Sequence, residues 1–192
     1  MLTFLYILEW ILILLLLGAL FILFAWMWSG LKSKVPFITV PRTILPYIQK
    51  ALNVEKNSVV YDLGCGDGRV LFYSAKLTPE AKYIGIENSF LPLLLARFSN
   101  WQRKLFKKKN ASIKIIDNDL FQQDLSSATR IFMYLYPNLL DDLLPKFDRE
   151  LKKGTRVVSV SFQFTLKRPI AEIDLKRPGL FQLARKLYIY EF

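Results

Sequence analysis

The chain changes its hydrophobic rhythm sharply near residue 30. Residues 11 to 28, ILILLLLGALFILFAWMW, contain no charged or strongly polar side chain. At about 1.5 Å rise per residue this run, with Phe4 to Leu8 ahead of it, covers the ~30 Å hydrocarbon core of a bilayer. The pattern predicts a transmembrane anchor over residues 1–30. A secretory signal would place basic residues before a shorter apolar run and end on a small-x-small cleavage site; here no Lys or Arg precedes Lys32. Trp10, Trp26 and Trp28 fall near the two ends of the span, where amphipathic rings favour the membrane interface, and Glu9 falls at headgroup level.

Beyond the anchor, residues 31–41 form a connector that contains Pro36 and Pro41, and residues 42–192 form one domain. A connector of a dozen residues reaches at most about 40 Å, so the domain hangs close to the bilayer. Within it the apolar period switches repeatedly. Residues 42 to 54 place Ile44, Leu45, Ile48 and Leu52 on one helical face, with Pro46 in the first turn. Short apolar runs at 58–64, 81–87, 111–117, 129–135 and 155–162 read as strands, and helical patterns cover 68–77, 89–109 and 138–153. Residues 170–176 and 185–192 read as two further strands with no room for a full helix between them. Such alternation predicts an α/β, Rossmann-like fold, a mostly parallel sheet with right-handed crossovers and helices on both faces. Ligands of such sheets bind beyond the carboxyl ends of the strands at the switch point.

One strand ends in a sequence built for that position, Asp62-Leu63-Gly64-Cys65-Gly66-Asp67-Gly68. The dinucleotide pattern G-x-G-x-x-G/A would need Gly or Ala at 69, where this chain has Arg, and no Gly-Lys-Ser/Thr follows to make a phosphate loop. What remains suits a ligand with a cationic amine and no phosphate: glycines let the backbone pass close beneath it, and Asp62 attracts an ammonium. Glu87 stands nineteen residues past Gly68 at the end of the second strand, followed by Asn88, where an acid can accept both hydroxyls of a ribose. After the third strand, Asp119 can accept an exocyclic amine while Leu120 and Phe121 pack a ring. Amine, ribose and adenine together describe S-adenosyl-L-methionine, with Asp62, Gly64, Cys65, Gly66, Asp67, Gly68, Glu87, Asn88, Asp119 and Leu120 as its expected contacts.

With DLGCGDG as first motif, Glu87 as ribose acid and NDLF as adenine loop, the sequence resembles the class I, seven-stranded S-adenosylmethionine-dependent methyltransferases. More narrowly, VPFITVPRTIL, YLYPNLLDDLLPKFDREL and KKGTRVVSVSFQF resemble small membrane-anchored protein-lysine methyltransferases related to those that modify the c-ring protein of ATP synthase and the adenine nucleotide translocase. The likeness spans residues 37 to about 165. It implies methyl transfer to a lysine amine and leaves the substrate open: the leading reading is a lysine of a membrane or membrane-proximal protein, the alternatives are methylation of RNA or of a small or lipidic amine, or a non-catalytic membrane-bound assembly protein with a vestigial pocket. Tyr134-Leu135-Tyr136-Pro137 stands where many amino-group methyltransferases carry Asn/Asp-Pro-Pro-Tyr, so no side-chain amide is present there to grip the target nitrogen.

Composition narrows the chemistry further. All 27 Lys and Arg, and all but one of the 16 Asp and Glu, lie after residue 30. Lys32, Lys34 and Arg42 closely follow the span and nothing basic precedes it, which puts the domain on the cytoplasmic side. A basic domain tethered to an anionic leaflet already has its partner in that surface, which is favoured over nucleic acid. The basic stretch Arg103, Lys104, Lys107, Lys108, Lys109 reads as a solvated helix end, a lipid-headgroup contact or an RNA contact. One cysteine and no histidine exclude an internal disulfide and leave little from which to build a metal site. Without histidine there is no ready general base near neutral pH, so an amine that arrives neutral is a better acceptor than a hydroxyl. A poorly hydrated channel favours that neutral form. Tyr136, Pro137 and Phe162 are the expected catalytic wall, with Phe164 and Phe37 as further candidates.

Overall fold

The computed structural model describes residues 2–32, 38–105, 111–175 and 184–192. Phe37, Lys107, Lys108 and Lys109, all singled out from sequence, lie outside them. The apolar run forms one helix, α1 (Leu2–Lys32), of which Thr3–Phe24 is long and apolar enough to cross a membrane by length and composition. A 3-10 turn (Arg42–Ile44) leads into α2 (Leu45–Leu52), where Pro46 sits at the helix start and needs no backbone N–H partner. Then come β1 (Val59–Leu63), α3 (Arg69–Leu77), β2 (Lys82–Ile86), α4 (Phe90–Leu105), β3 (Ser112–Ile116), β4 (Arg130–Met133), α5 (Pro137–Glu150), β5 (Arg156–Val160), β6 (Ala171–Asp174) and β7 (Lys186–Glu191).

The strands form one sheet in the order β3-β2-β1-β4-β5-β7-β6. The first five are parallel, and β7 enters antiparallel between β5 and β6. Antiparallel neighbours need no helical crossover, which is why the tail pattern had no room for one. The direction of travel reverses between β1 and β4, so the carboxyl ends of β1, β2 and β4 open onto the switch point.

Side-chain alternation along the strands splits the core into two faces. Tyr61, Leu63, Ile131, Met133 and Val157 meet Leu140, Leu143 and Phe147 of α5 on one side. On the other, Phe132, Val158, Val160 and Ile189 meet Ile44, Ile48 and Leu52, while Val60, Tyr83 and Ile113 meet Leu71 and Ala75 of α3. Burying each such large side chain contributes roughly 1.5–3 kcal/mol. Gly85 lies opposite Asp62 in the β1–β2 register. A Cβ there would come within 2.7 Å of both Cys65 Sγ and Leu71 Cδ1, so only glycine lets α3 lie this close to the sheet.

Candidate functional site

Where β1 ends, the backbone turns through Gly64, Gly66 and Gly68, all with positive φ. The requirement is strictest at Gly68, which opens α3 in the left-handed region and where a Cβ would stand 2.7 Å from the Phe72 ring. The turn is pinned to the neighbouring strand: Gly64 N and Cys65 N both donate to the Ile86 carbonyl at 2.9 Å. Gly66 N donates to Glu87 Oε2 at 3.0 Å and Ser89 N to Glu87 Oε1 at 2.8 Å. Two backbone donors thereby fix the Glu87 carboxylate in place while each oxygen keeps a lone pair for a ligand hydroxyl.

A cavity of about 450 Å³ opens over this turn, within the usual range for a small-molecule site. It brings together nine of the expected donor contacts: Asp62, Gly64, Cys65, Gly66, Asp67, Glu87, Asn88, Asp119 and Leu120. Gly68 lies behind the turn and serves its geometry. Asp67 reaches the cavity, but its carboxylate is held by the Arg69 guanidinium, with Nη2 to Oδ2 at 2.6 Å and Nε to Oδ1 at 2.9 Å. Arg69 Nη1 also donates to the Val40 carbonyl at 2.8 Å. The residue that rules out a dinucleotide turn thus clamps the glycine loop to residues 38–40, which form part of the cavity wall.

The acceptor side is placed differently from the sequence expectation. Tyr136, Pro137 and Phe162 do not line the cavity; Tyr134, Leu135, Leu139 and Asp142 do. Phe162 stands behind, its ring 6.4 Å from Tyr134 and 5.6 Å from Tyr136. β4 ends at Met133, sooner than the apolar run suggests, and the chain leaves the sheet with Tyr134 facing the cavity. Phe164 is core, edge-on to Phe147 and Tyr190. Sequence reading missed Arg69 as a clamp, residues 38–40, Tyr134 and Asp142.

Electrostatics identify the ligand's character. Asp62 is buried, and its Oδ2 has no hydrogen-bond partner among the described residues. Burial, and then the charges of Glu87 and Asp67, push its carboxyl well above the usual range. Burial likewise raises the Cys65 thiol, which stays protonated and unreactive. Tyr134 is raised by burial and remains a neutral phenol. Among the described residues, the cavity lining has an orphaned buried carboxylate and no cation outside the Arg69–Asp67 pair. Such a lining is poorly suited to phosphate and well suited to an ammonium. Phe121 N donates to Asp119 Oδ1 at 2.9 Å, which sets that carboxylate beside Leu120 and Phe121 where a flat base would lie. Among the described residues there is no cluster of three potential metal ligands.

A sheet in this order, with a glycine turn over carboxylates at the switch point, defines a class I S-adenosylmethionine-dependent methyltransferase. The chain belongs to the ANTKMT methyltransferase domain family, whose model matches residues 62–171. A protein-lysine N-methyltransferase of Saccharolobus islandicus is 33% identical over 129 residues, 67% of this chain and 78% of that protein. The adenine nucleotide translocase lysine N-methyltransferase of Mus musculus is 28% identical over 74% of this chain, which spans 60% of the mouse protein. Among solved structures, an RNA methyltransferase from Salinibacter ruber in complex with S-adenosyl-L-homocysteine superposes with a TM-score of 0.70 at 27% identity, covering 80% of this chain and 93% of that one.

Proposed function

We propose that the protein is a membrane-anchored methyltransferase that uses S-adenosyl-L-methionine to methylate a lysine amine of a membrane or membrane-proximal protein. In this reading Asp62 holds the donor's ammonium, Glu87 its ribose hydroxyls, and Asp119 with Leu120 its adenine, over a floor formed by Gly64 to Gly68 and Cys65, with Asn88 beside the sugar. The bound donor supplies a methyl group on a sulfonium, which leaves as a neutral thioether. The chain itself needs only to deliver a neutral amine in line, so positioning and desolvation carry the rate. Asp142 draws a lysine ammonium to the cavity wall, where it gives its proton to bulk water, and the half-buried Tyr134, backed by Phe162 and Tyr136, excludes water and so favours the neutral amine inside. The anchor is α1, with the domain on the cytoplasmic side.

The observation that carries this reading is the juxtaposition of an apolar, span-length helix with a donor cavity whose wall begins at residue 38, six residues after α1 ends. The family's protein-lysine methyltransferases support the acceptor. A second reading, RNA methylation, draws on the basic domain and the Salinibacter ruber neighbour. Incubating the full chain in membranes with methyl-labelled donor separates the two. Label in a protein band that resists ribonuclease is expected; label confined to RNA would refute the lysine reading.

A further inference from the structure

α4 is apolar on two faces. Its inner face, Pro92, Leu93, Ala96 and Asn100, is buried, and Asn100 Nδ2 donates to the Ile113 carbonyl of β3 at 3.2 Å. On its outer face Phe90, Leu94, Phe98, Trp101 and Leu105 are each more than half exposed. At 3.6 residues per turn these positions fall in one stripe about 80° wide and about 22 Å long. The Phe98 and Trp101 rings stack within it at 5.8 Å. A continuous apolar stripe of this size marks an interaction surface.

Three observations identify what covers it. α4 touches α1, the helix of span length. Arg97 and Lys104, both exposed, run along one edge of the stripe. From residue 89 to 109 there is no Asp or Glu. A broad apolar stripe with aromatic residues, a cationic rim and no acid is the pattern of a helix lying in the interface of an anionic bilayer, rings among the upper acyl chains and cations at the phosphates. We propose that the outer face of α4 docks flat on the anionic lipid surface beside α1, giving the domain a second membrane contact. This rests on the reading of α1 as an anchor. Ser89 and Pro92, at the start of α4, line the donor cavity, so docking would hold the cavity at a set height over the bilayer, within reach of lysines that emerge from it.

The test uses the full chain, one molecule per nanodisc of phosphatidylcholine and phosphatidylglycerol. Single cysteines at Phe98→Cys, Leu15→Cys in α1 and Glu80→Cys at an exposed position away from α4 carry an environment-sensitive fluorophore; the native Cys65 is buried. Nitroxides placed at the lipid headgroup or deep in the acyl chains report depth. The expected result is strong quenching of position 98 by shallow nitroxides, of position 15 by deep ones, and of position 80 by neither. Arg97→Glu with Lys104→Glu should cut the quenching at 98 severalfold and leave that at 15 unchanged. If 15 is quenched and 98 behaves like 80, docking is overturned and the anchor stands. If 15 is not quenched, the anchor reading fails and this inference with it. Protection of 98 only when two chains share a disc would assign the stripe to a second copy and overturn the lipid assignment.

Discussion

Asp62 is a residue that the fold by itself tolerates rather than uses. Its carboxyl is buried, lacks a partner at Oδ2 among the described residues, and is pushed above its ordinary value by burial and neighbouring charge. Because the native pKa exceeds the unfolded one near 3.9, the native chain binds more protons than the unfolded chain between the two. Stability therefore falls as pH rises from about 4 towards the raised native value. Asp62→Asn removes the charge at nearly constant shape. The variant should melt higher than the parent at neutral pH, by about 1–3 kcal/mol, or about 2–4 °C for each kcal/mol, and the gap should close as pH approaches 4. Thermal scans across pH check this. The same substitution should weaken S-adenosyl-L-methionine at least about tenfold by calorimetry, since a charge-assisted hydrogen bond is lost. Gly85→Ala is the contrasting case: with Cys65 Sγ and Leu71 Cδ1 at 2.7 Å from the added carbon, it should destabilise by about 1–3 kcal/mol in denaturant titration.

At the scale of elements, the Arg69 clamp is the joint between the glycine turn and residues 38–40. Arg69→Ala should speed amide exchange at Thr39 and Val40 and raise the KM for donor severalfold, with little change in kcat, because the cavity wall loosens while the acceptor side is untouched. In α5, Phe147 is fully buried against Phe164 and Phe192; Phe147→Ala should cost about 3–5 kcal/mol in urea unfolding. The grouping of the predicted donor residues at one cavity was legible because they lie at or just beyond the carboxyl ends of β1, β2 and β3, which follow from apolar runs and glycines. The acceptor half was not. Tyr134 and Tyr136 differ by where β4 lets go of the sheet, which depends on pairing with β1 and β5. Phe164 looked like channel because nothing in its own sequence announces Phe147, Tyr190 and Phe192 around it. The outer stripe of α4 was hidden for a related reason: an apolar helix reads as core until the structure shows which face the sheet takes.

Taken as a whole, the molecule joins a span-length helix to a seven-stranded methyltransferase sheet through a short connector that begins the cavity wall. The mostly parallel sheet agrees with the alternation read from sequence, whereas the strand order and the antiparallel place of β7 between β5 and β6 come from long-range pairing. Under the proposed function, with α1 as the anchor, this layout would confine the acceptor to lysines near a membrane. The most direct measurement is mass spectrometry of membrane proteins from cells that express the full chain or its Glu87→Ala variant, which loses the carboxylate bound by Gly66 N and Ser89 N. The account predicts a methyl increment on a lysine of a membrane protein that appears with the parent chain and disappears with the variant. An unchanged lysine in both, or an increment that persists without Glu87, would contradict it.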